Sequence, residues 1–151
     1  MIKIICLGKI KEAYLSDGIK EYLKRIGKYH PIEIIELEDV GLEDKKVTLK
    51  KEQEKILKYI NTKEYIITLE IEGKEESSIE FAKRMNDIFN QNSNITFIIG
   101  GSYGLSDEIK ALSNYKLSFS KMTFPHQLFR LILLEQIYRA FKINNNEEYH
   151  K

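Results

Sequence analysis

Residues 95–130 hold the chemistry-bearing pattern of this chain. An apolar run from Ile95 to Ile99 ends in Gly100-Gly101-Ser102-Tyr103-Gly104-Leu105, and a second run, residues 116–120, empties into Lys121-Met122-Thr123-Phe124-Pro125-His126. Open α/β sheets bind ligands outside the carboxyl ends of their strands, so these two loops read as two walls of one site. Gly100, Gly101 and Gly104 permit positive φ and close backbone approach, which suits main-chain recognition of an adenine or ribose edge. A tight strand-to-helix turn accounts for the same glycines equally well.

Other chemistries lack their residues. No GxGxxG follows the first strand, where Gly8 stands alone, and no GxxxxGK[ST] occurs, so neither a Rossmann dinucleotide site nor a P-loop is expected. His30, His126 and His150 are widely spaced and one cysteine cannot complete a Cys-rich site, so no metal is expected. Cys6 lies inside an apolar run and reads as a small core residue rather than a nucleophile.

These residues must be positioned by a small molecule. The 151 residues make a single domain the default, spanning 1–151, with no room for a separate substrate domain. Hydrophobic residues at 42% and charged residues at 31% describe an ordinary globular protein. No apolar stretch approaches the roughly 20 residues of a membrane span. The first residues read as a strand rather than a secretion signal, so a cytoplasmic protein with no membrane partner is expected. The net charge of +1 argues against avid non-specific binding of naked nucleic acid, while leaving room for a local basic surface.

Strands are expected at 2–7, 32–37, 65–71, 95–99 and 116–120. Glu33 and Glu36 mark the second as less covered, and residues 38–46 read as its loop. Helices are expected between them. The first is capped at Ser16-Asp17 and runs to 28, burying Ile19, Tyr22, Leu23 and Ile26. The next spans 47–60 with a thin stripe of Leu49, Ile56, Leu57 and Ile60. A third starts from a Ser77/Glu80 capping box and runs to about 91, burying Ile79, Phe81, Ala82, Met85, Ile88 and Phe89. A short helix spans 106–112. This alternation predicts an α/β fold with a parallel sheet.

The last helix, opened by Pro125 and running to 142, is apolar around much of its circumference. Leu128, Leu131, Leu134, Ile137, Tyr138 and Phe141 fill one face, and Phe129, Ile132 and Leu133 fall outside it. A surface helix needs one apolar face, so a homodimer interface is expected on the other. Burial inside one chain is the alternative.

Three ordered segments then carry a resemblance: residues 97–105, residues 117–130, and Glu135-Gln136-Ile137-Tyr138-Arg139-Ala140-Phe141 with the terminal Tyr149-His150-Lys151. Together with Thr68-Leu69-Glu70-Ile71-Glu72-Gly73-Lys74 they closely resemble the RlmH-type ribosomal RNA large-subunit methyltransferases of the SPOUT superfamily, over the whole chain. The resemblance implies a parallel-sheet SPOUT fold with a C-terminal trefoil knot, a threading that general topology rules make rare. It implies S-adenosylmethionine (SAM) held at Leu69, Gly100, Phe119, Ser120, Lys121, Met122, Thr123 and Phe124, and a homodimer packed across the knot. The reaction implied is methylation of N3 of a pseudouridine in 23S rRNA, on the assembled ribosome. Because the tail of such enzymes lies near the cofactor, His150 and Arg139 become candidates for base or anion stabiliser, with Tyr149 positioning the nucleotide. The residues alone leave open that Tyr149 and His150 order the tail or contact phosphate, and that Arg139 pairs with Glu135 four residues away.

Overall fold

The computed structural model describes residues 1–41 and 44–151. Side-chain alternation in β1 (Ile2–Leu7) organises the two layers around it. Ile2, Ile4 and Cys6 face a core shared with α1 (Ala13–Gly27), α3 (Ser78–Phe89) and α5 (His126–Asn144). Ile5 and Leu7 face a smaller core with α2 (Lys45–Leu57) and α4 (Asp107–Leu112). The remaining strands are β2 (Ile32–Leu37), β3 (Tyr65–Glu75), β4 (Ile95–Ile99) and β5 (Tyr115–Ser118). All pair in parallel, in the order β2-β1-β4-β3-β5. The central β4 is buried at every position, as a parallel strand covered on both faces requires. At the edge, β2 exposes Glu33 and Glu36, as expected.

The β3–β5 register is the unusual feature. Leu69 pairs with Leu117, and so does Lys74, after which Glu75 pairs with Ser118. Residues 70–73 therefore arch out of register and pass directly over the backbone of β5. At the crossing there is no space for a side chain: a Cβ on Gly73 would lie 2.9 Å from backbone atoms of Lys116 and Leu117.

The structure moves several expected boundaries and faces. Helix α1 starts at Ala13, a turn before Ser16-Asp17, because Leu15 is already buried in the core. Of the expected loop 38–46, residues 42–43 lie outside the described residues. Asp44 caps α2 by accepting hydrogen bonds from the Lys46 and Val47 amides at 2.9 and 3.2 Å. Of the α2 stripe only Ile56 is buried, and Leu57 is exposed. Thr48, Glu52 and Gln53 are buried in its place, with Gln53 hydrogen-bonded to Glu108 of α4 and Glu52 against Gly101. The Ser77/Glu80 capping box forms. Ile79 is 59% exposed, since Phe81, Ala82, Met85 and Ile88 set the buried face of α3. Strand β5 starts and ends earlier than expected, and Pro125 is the N-cap of α5 rather than its first residue.

Helix α5 lies between α1 and α3 over the sheet, which accounts for much of its apolar circumference within one chain. Leu133 is fully buried there, so it belongs to the monomer core rather than to an outer face. Leu128, Leu131 and Ile132 are half-buried.

Gly73→Ala is expected to destabilise the fold by about 1–3 kcal/mol, the usual cost of overpacking, because its neighbours at the crossing are backbone and cannot rotate aside. Urea unfolding measures this. A midpoint equal to that of the wild type contradicts the crossing.

Candidate functional site

A cleft of about 430 Å³ opens at the carboxyl ends of β3, β4 and β5. Its size falls within the roughly 300–1,000 Å³ of small-molecule sites. Three stretches wall it: residues 69–72 within β3, where its pairing with β4 ends, residues 99–105 leaving β4, and residues 117–124 apart from Lys121, leaving β5, with His126 and Phe129 closing one side. The two loops singled out in the sequence thus meet, and the β3 end joins them.

The turn after β4 is built on close approach. A Cβ on Gly100 would lie 2.4 Å from the Gly104 carbonyl oxygen, and Gly104 has φ +76°, so the loop folds flat on itself. The Gly104 amide donates to the Gly101 carbonyl at 3.0 Å and closes the turn. Ser106 then caps α4. The turn after β5 is held by its own hydroxyls. Ser118 Oγ donates to the Ser120 carbonyl at 3.1 Å, and Ser120 Oγ accepts the Met122 amide at 2.9 Å. Aromatic contacts fix it to α5: Phe119 meets Phe129 edge-on at 5.0 Å, and Phe124 stacks on the same ring at 6.0 Å.

Helix α5 is anchored by Arg130, whose side chain is 1% exposed. Its Nη2 donates to the Leu7 and Gly8 carbonyls, each at 2.6 Å, and its Nη1 to Glu36 Oε2 at 2.8 Å. A guanidinium this deeply buried requires such partners to offset its desolvation. They lock the start of α5, and hence His126 and Phe129, to the ends of β1 and β2. Glu52 backs the glycine turn from α2, and burial, then the nearby Asp39 charge, raises its carboxyl pKa. Burial also pushes the Cys6 thiol up to about 12, as befits an inert core residue.

Of the residues expected to hold a cofactor, Leu69, Gly100, Phe119, Ser120, Met122, Thr123 and Phe124 all line this cleft, whereas Lys121 is exposed and does not. Sequence reasoning missed Glu70 and Lys110 in the cleft and Arg130 behind it. The available signals were a carboxylate two residues after Thr68 on one face of an apolar strand, and a cation within the apolar first half of the last helix.

Arg139, Tyr149 and His150 come together elsewhere. Arg139 Nη2 donates to Glu135 Oε1 at 2.5 Å, and Tyr149 donates to the same oxygen at 3.1 Å. Arg139 also lies 3.1 Å from His150 Nδ1 and over the Tyr149 ring at 4.8 Å. The Glu135 hydrogen bond keeps Arg139 firmly charged, and burial raises the Tyr149 phenol pKa. Thirteen residues of α5 separate Arg139 from His126 at the cleft, about 20 Å at the helical rise. One chain therefore does not bring its tail cluster to its own cleft.

The tail is also tethered near Tyr29: Lys142 Nζ and the Tyr29 hydroxyl donate to Glu147 at 2.9 and 2.8 Å. Among the described residues no group of His, Cys, Asp and Glu could hold a metal ion, and no helix is long and apolar enough to cross a membrane.

A parallel α/β sheet with a cleft of main-chain turns at its carboxyl ends is the layout in which open α/β folds bind small ligands. The chain belongs to the SPOUT methyltransferase family, whose model, described as "Predicted SPOUT methyltransferase", matches residues 1–150. A Methanococcus maripaludis protein provisionally named ribosomal RNA large subunit methyltransferase H is 55% identical, with 99% of each chain covered. A Clostridioides difficile protein named ribosomal RNA large subunit methyltransferase H is 53% identical over the same shares. Among solved structures, a methylase family protein from Haemophilus influenzae superposes with TM-score 0.59 at 12% identity, covering 99% of this chain and 70% of that one. A Legionella pneumophila protein described as a methyltransferase, solved in complex with the bound cofactor SAM, gives TM-score 0.51 at 13% identity, covering 92% and 66%. These two likenesses show the shared fold.

The tether predicts a pH dependence. The Lys142 hydrogen bond, then that of Tyr29, lowers the Glu147 pKa, so this stabilisation is present above the ordinary glutamate value of about 4.3 and is lost as pH falls through the depressed one. Amide exchange in residues 145–150 is expected to accelerate relative to α5 as pH drops below about 4. Glu147→Gln should reproduce the loosening at neutral pH. Equal protection in that variant contradicts the tether.

Proposed function

We propose that the chain transfers a methyl group from SAM to N3 of a pseudouridine in 23S ribosomal RNA, acting on the assembled ribosome in the cytoplasm. The observation that carries this reading is the convergence of Leu69, Gly100 and residues 119–124, except Lys121, on one cleft. The relatives' names, at 53–55% identity over nearly the whole chain, support ribosomal RNA as substrate.

The cleft fits the cofactor chemically. Leu69, Ile99, Leu117 and Phe119 offer apolar walls to an adenine, and the 100–105 turn offers main-chain groups to its edge. SAM supplies an already activated methyl on a sulfonium, so the protein's part is alignment and exclusion of water. Phe124 and Phe129 hold the 119–124 turn in place to do this.

The target N3 loses a proton as its bond to carbon forms, which calls for a base or for stabilisation of the developing anion. In the tail cluster Arg139, kept charged by Glu135, offers the stabilising charge, His150 accepts from Arg139 on Nδ1 and so offers its Nε2–H to the developing anion, and Tyr149 offers a donor and a ring to the base. The helical distance from one chain's tail to its own cleft supports a homodimer in which a second copy brings the tail across. The half-buried Leu128 and Ile132 on α5 are the surface for it. The arch of residues 70–73 over β5 supports threading of the chain as a trefoil knot. A net charge of +1 supports recognition of a shaped, assembled surface rather than free RNA.

The purified chain, supplied with labelled SAM, is expected to methylate ribosomes at least about 10-fold faster than free rRNA, with mass mapping placing the label on N3 of a pseudouridine. Deleting residues 149–151 should abolish transfer while leaving cofactor affinity within a few-fold. Sedimentation should show a dimer that Ile132→Glu weakens, because the variant buries an unpaired charge. Full transfer by the truncated chain, or a monomeric wild type, contradicts the respective parts.

A further inference from the structure

Within the cleft, one charged side chain is almost fully withdrawn from water. Glu70 is 10% exposed, directly follows Leu69 at the end of β3 and lines the cleft. One of its oxygens, Oε2, accepts a hydrogen bond from the Thr68 hydroxyl at 2.6 Å, and Thr68 is fully buried in β3. The Lys110 ammonium lies 3.8 Å from the other, Oε1. That is too long for a hydrogen bond but close enough to balance the charge. The carboxylate is thus oriented and electrically compensated, with Oε1 open to the cleft and free to accept from a ligand in place of water.

We infer that Glu70 is the hydroxyl acceptor of the cleft, taking a hydrogen bond from the ribose of the bound adenosyl cofactor; this rests on the cofactor reading above. The compensation by Lys110 selects the donor. A cation such as the sulfonium or the amino-acid ammonium gains little from a carboxylate whose charge is already balanced, whereas a neutral hydroxyl needs only a free lone pair. Carboxylate capture of ribose hydroxyls recurs in nucleotide sites for this reason. Glu70 is thereby a specificity residue for the nucleoside part of the cofactor, and Thr68 and Lys110 position it.

The test is a thermodynamic cycle read by calorimetry on the full chain, with S-adenosylhomocysteine, its 2′-deoxy and 3′-deoxy analogues, and SAM. Glu70→Ala should weaken S-adenosylhomocysteine about 10-fold or more. Against the deoxy analogue that lacks the engaged hydroxyl, the same substitution should cost less than about twofold. Thr68→Val, which frees the carboxylate to turn without removing it, should give a smaller loss with the same analogue dependence. Glu70→Gln, isosteric and neutral, provides the comparison if Glu70→Ala does not fold. Since SAM and S-adenosylhomocysteine share the ribose, they should lose equally. A loss about 10-fold greater for SAM assigns Glu70 to a cationic group and overturns the inference. Equal losses for S-adenosylhomocysteine and both deoxy analogues, or no loss at all, also overturn it while leaving the cofactor reading intact. A wild-type chain that binds neither SAM nor S-adenosylhomocysteine overturns the cofactor reading and the inference together.

Discussion

Nothing larger than hydrogen fits between residue 73 and the backbone of β5, and the geometry of the cleft follows from that contact. Because Gly73 lies directly on residues 116 and 117, the stretch between Leu69 and Lys74, both of which pair with Leu117, can pass closely over β5. The crossing brings the β3 end, residues 69–72, onto the same cleft as the 117–124 turn. A side chain there would lift the arch and separate two of the three walls. A cofactor site is usually assembled from strand ends that already lie side by side; here backbone contact does part of that work.

The 117–124 wall also depends on helix α5, and α5 depends on a buried cation. Arg130 replaces water with two main-chain carbonyls and Glu36, tying the start of the helix to the ends of β1 and β2. Removing one partner of such a group is far more damaging than its net contribution suggests, because an uncompensated buried polar group remains. From that anchor the helix runs between α1 and α3, places Phe129 against Phe119 and Phe124, and ends at the Glu135–Arg139–Tyr149–His150 cluster. One element therefore carries both the rim of the cleft and, a helix length away, the titratable tail. The proposed homodimer would bring the two ends together by running two such helices past each other.

The strands were legible in the sequence because each is a short apolar run, β-branched in most cases, and the glycine turn and the 119–124 loop stood out at strand ends. The Ser77/Glu80 cap was legible because its chemistry is local. What escaped was non-local. The stripe of α2 reads as apolar, yet Glu52 and Gln53 are the buried residues, since what they face, Gly101 and Glu108, is supplied by distant segments. Leu133 falls outside a single helical stripe, and only a helix flanked on both sides can bury it. The crossing at Gly73 has no periodicity, and the charge partners of Glu70 and Arg130 lie forty or more residues away. The resemblance of the ordered motifs, rather than spacing, pointed to family and cofactor.

The central claim is that the three strand ends form one cofactor cleft. Titrating an isotopically labelled chain with S-adenosylhomocysteine and following backbone amide resonances tests it most directly. The account predicts that the largest changes fall together on residues 69–72, 99–105 and 117–124, with a common affinity. Changes confined to one of these stretches, or centred on the outer face of α2 or α3, would contradict it.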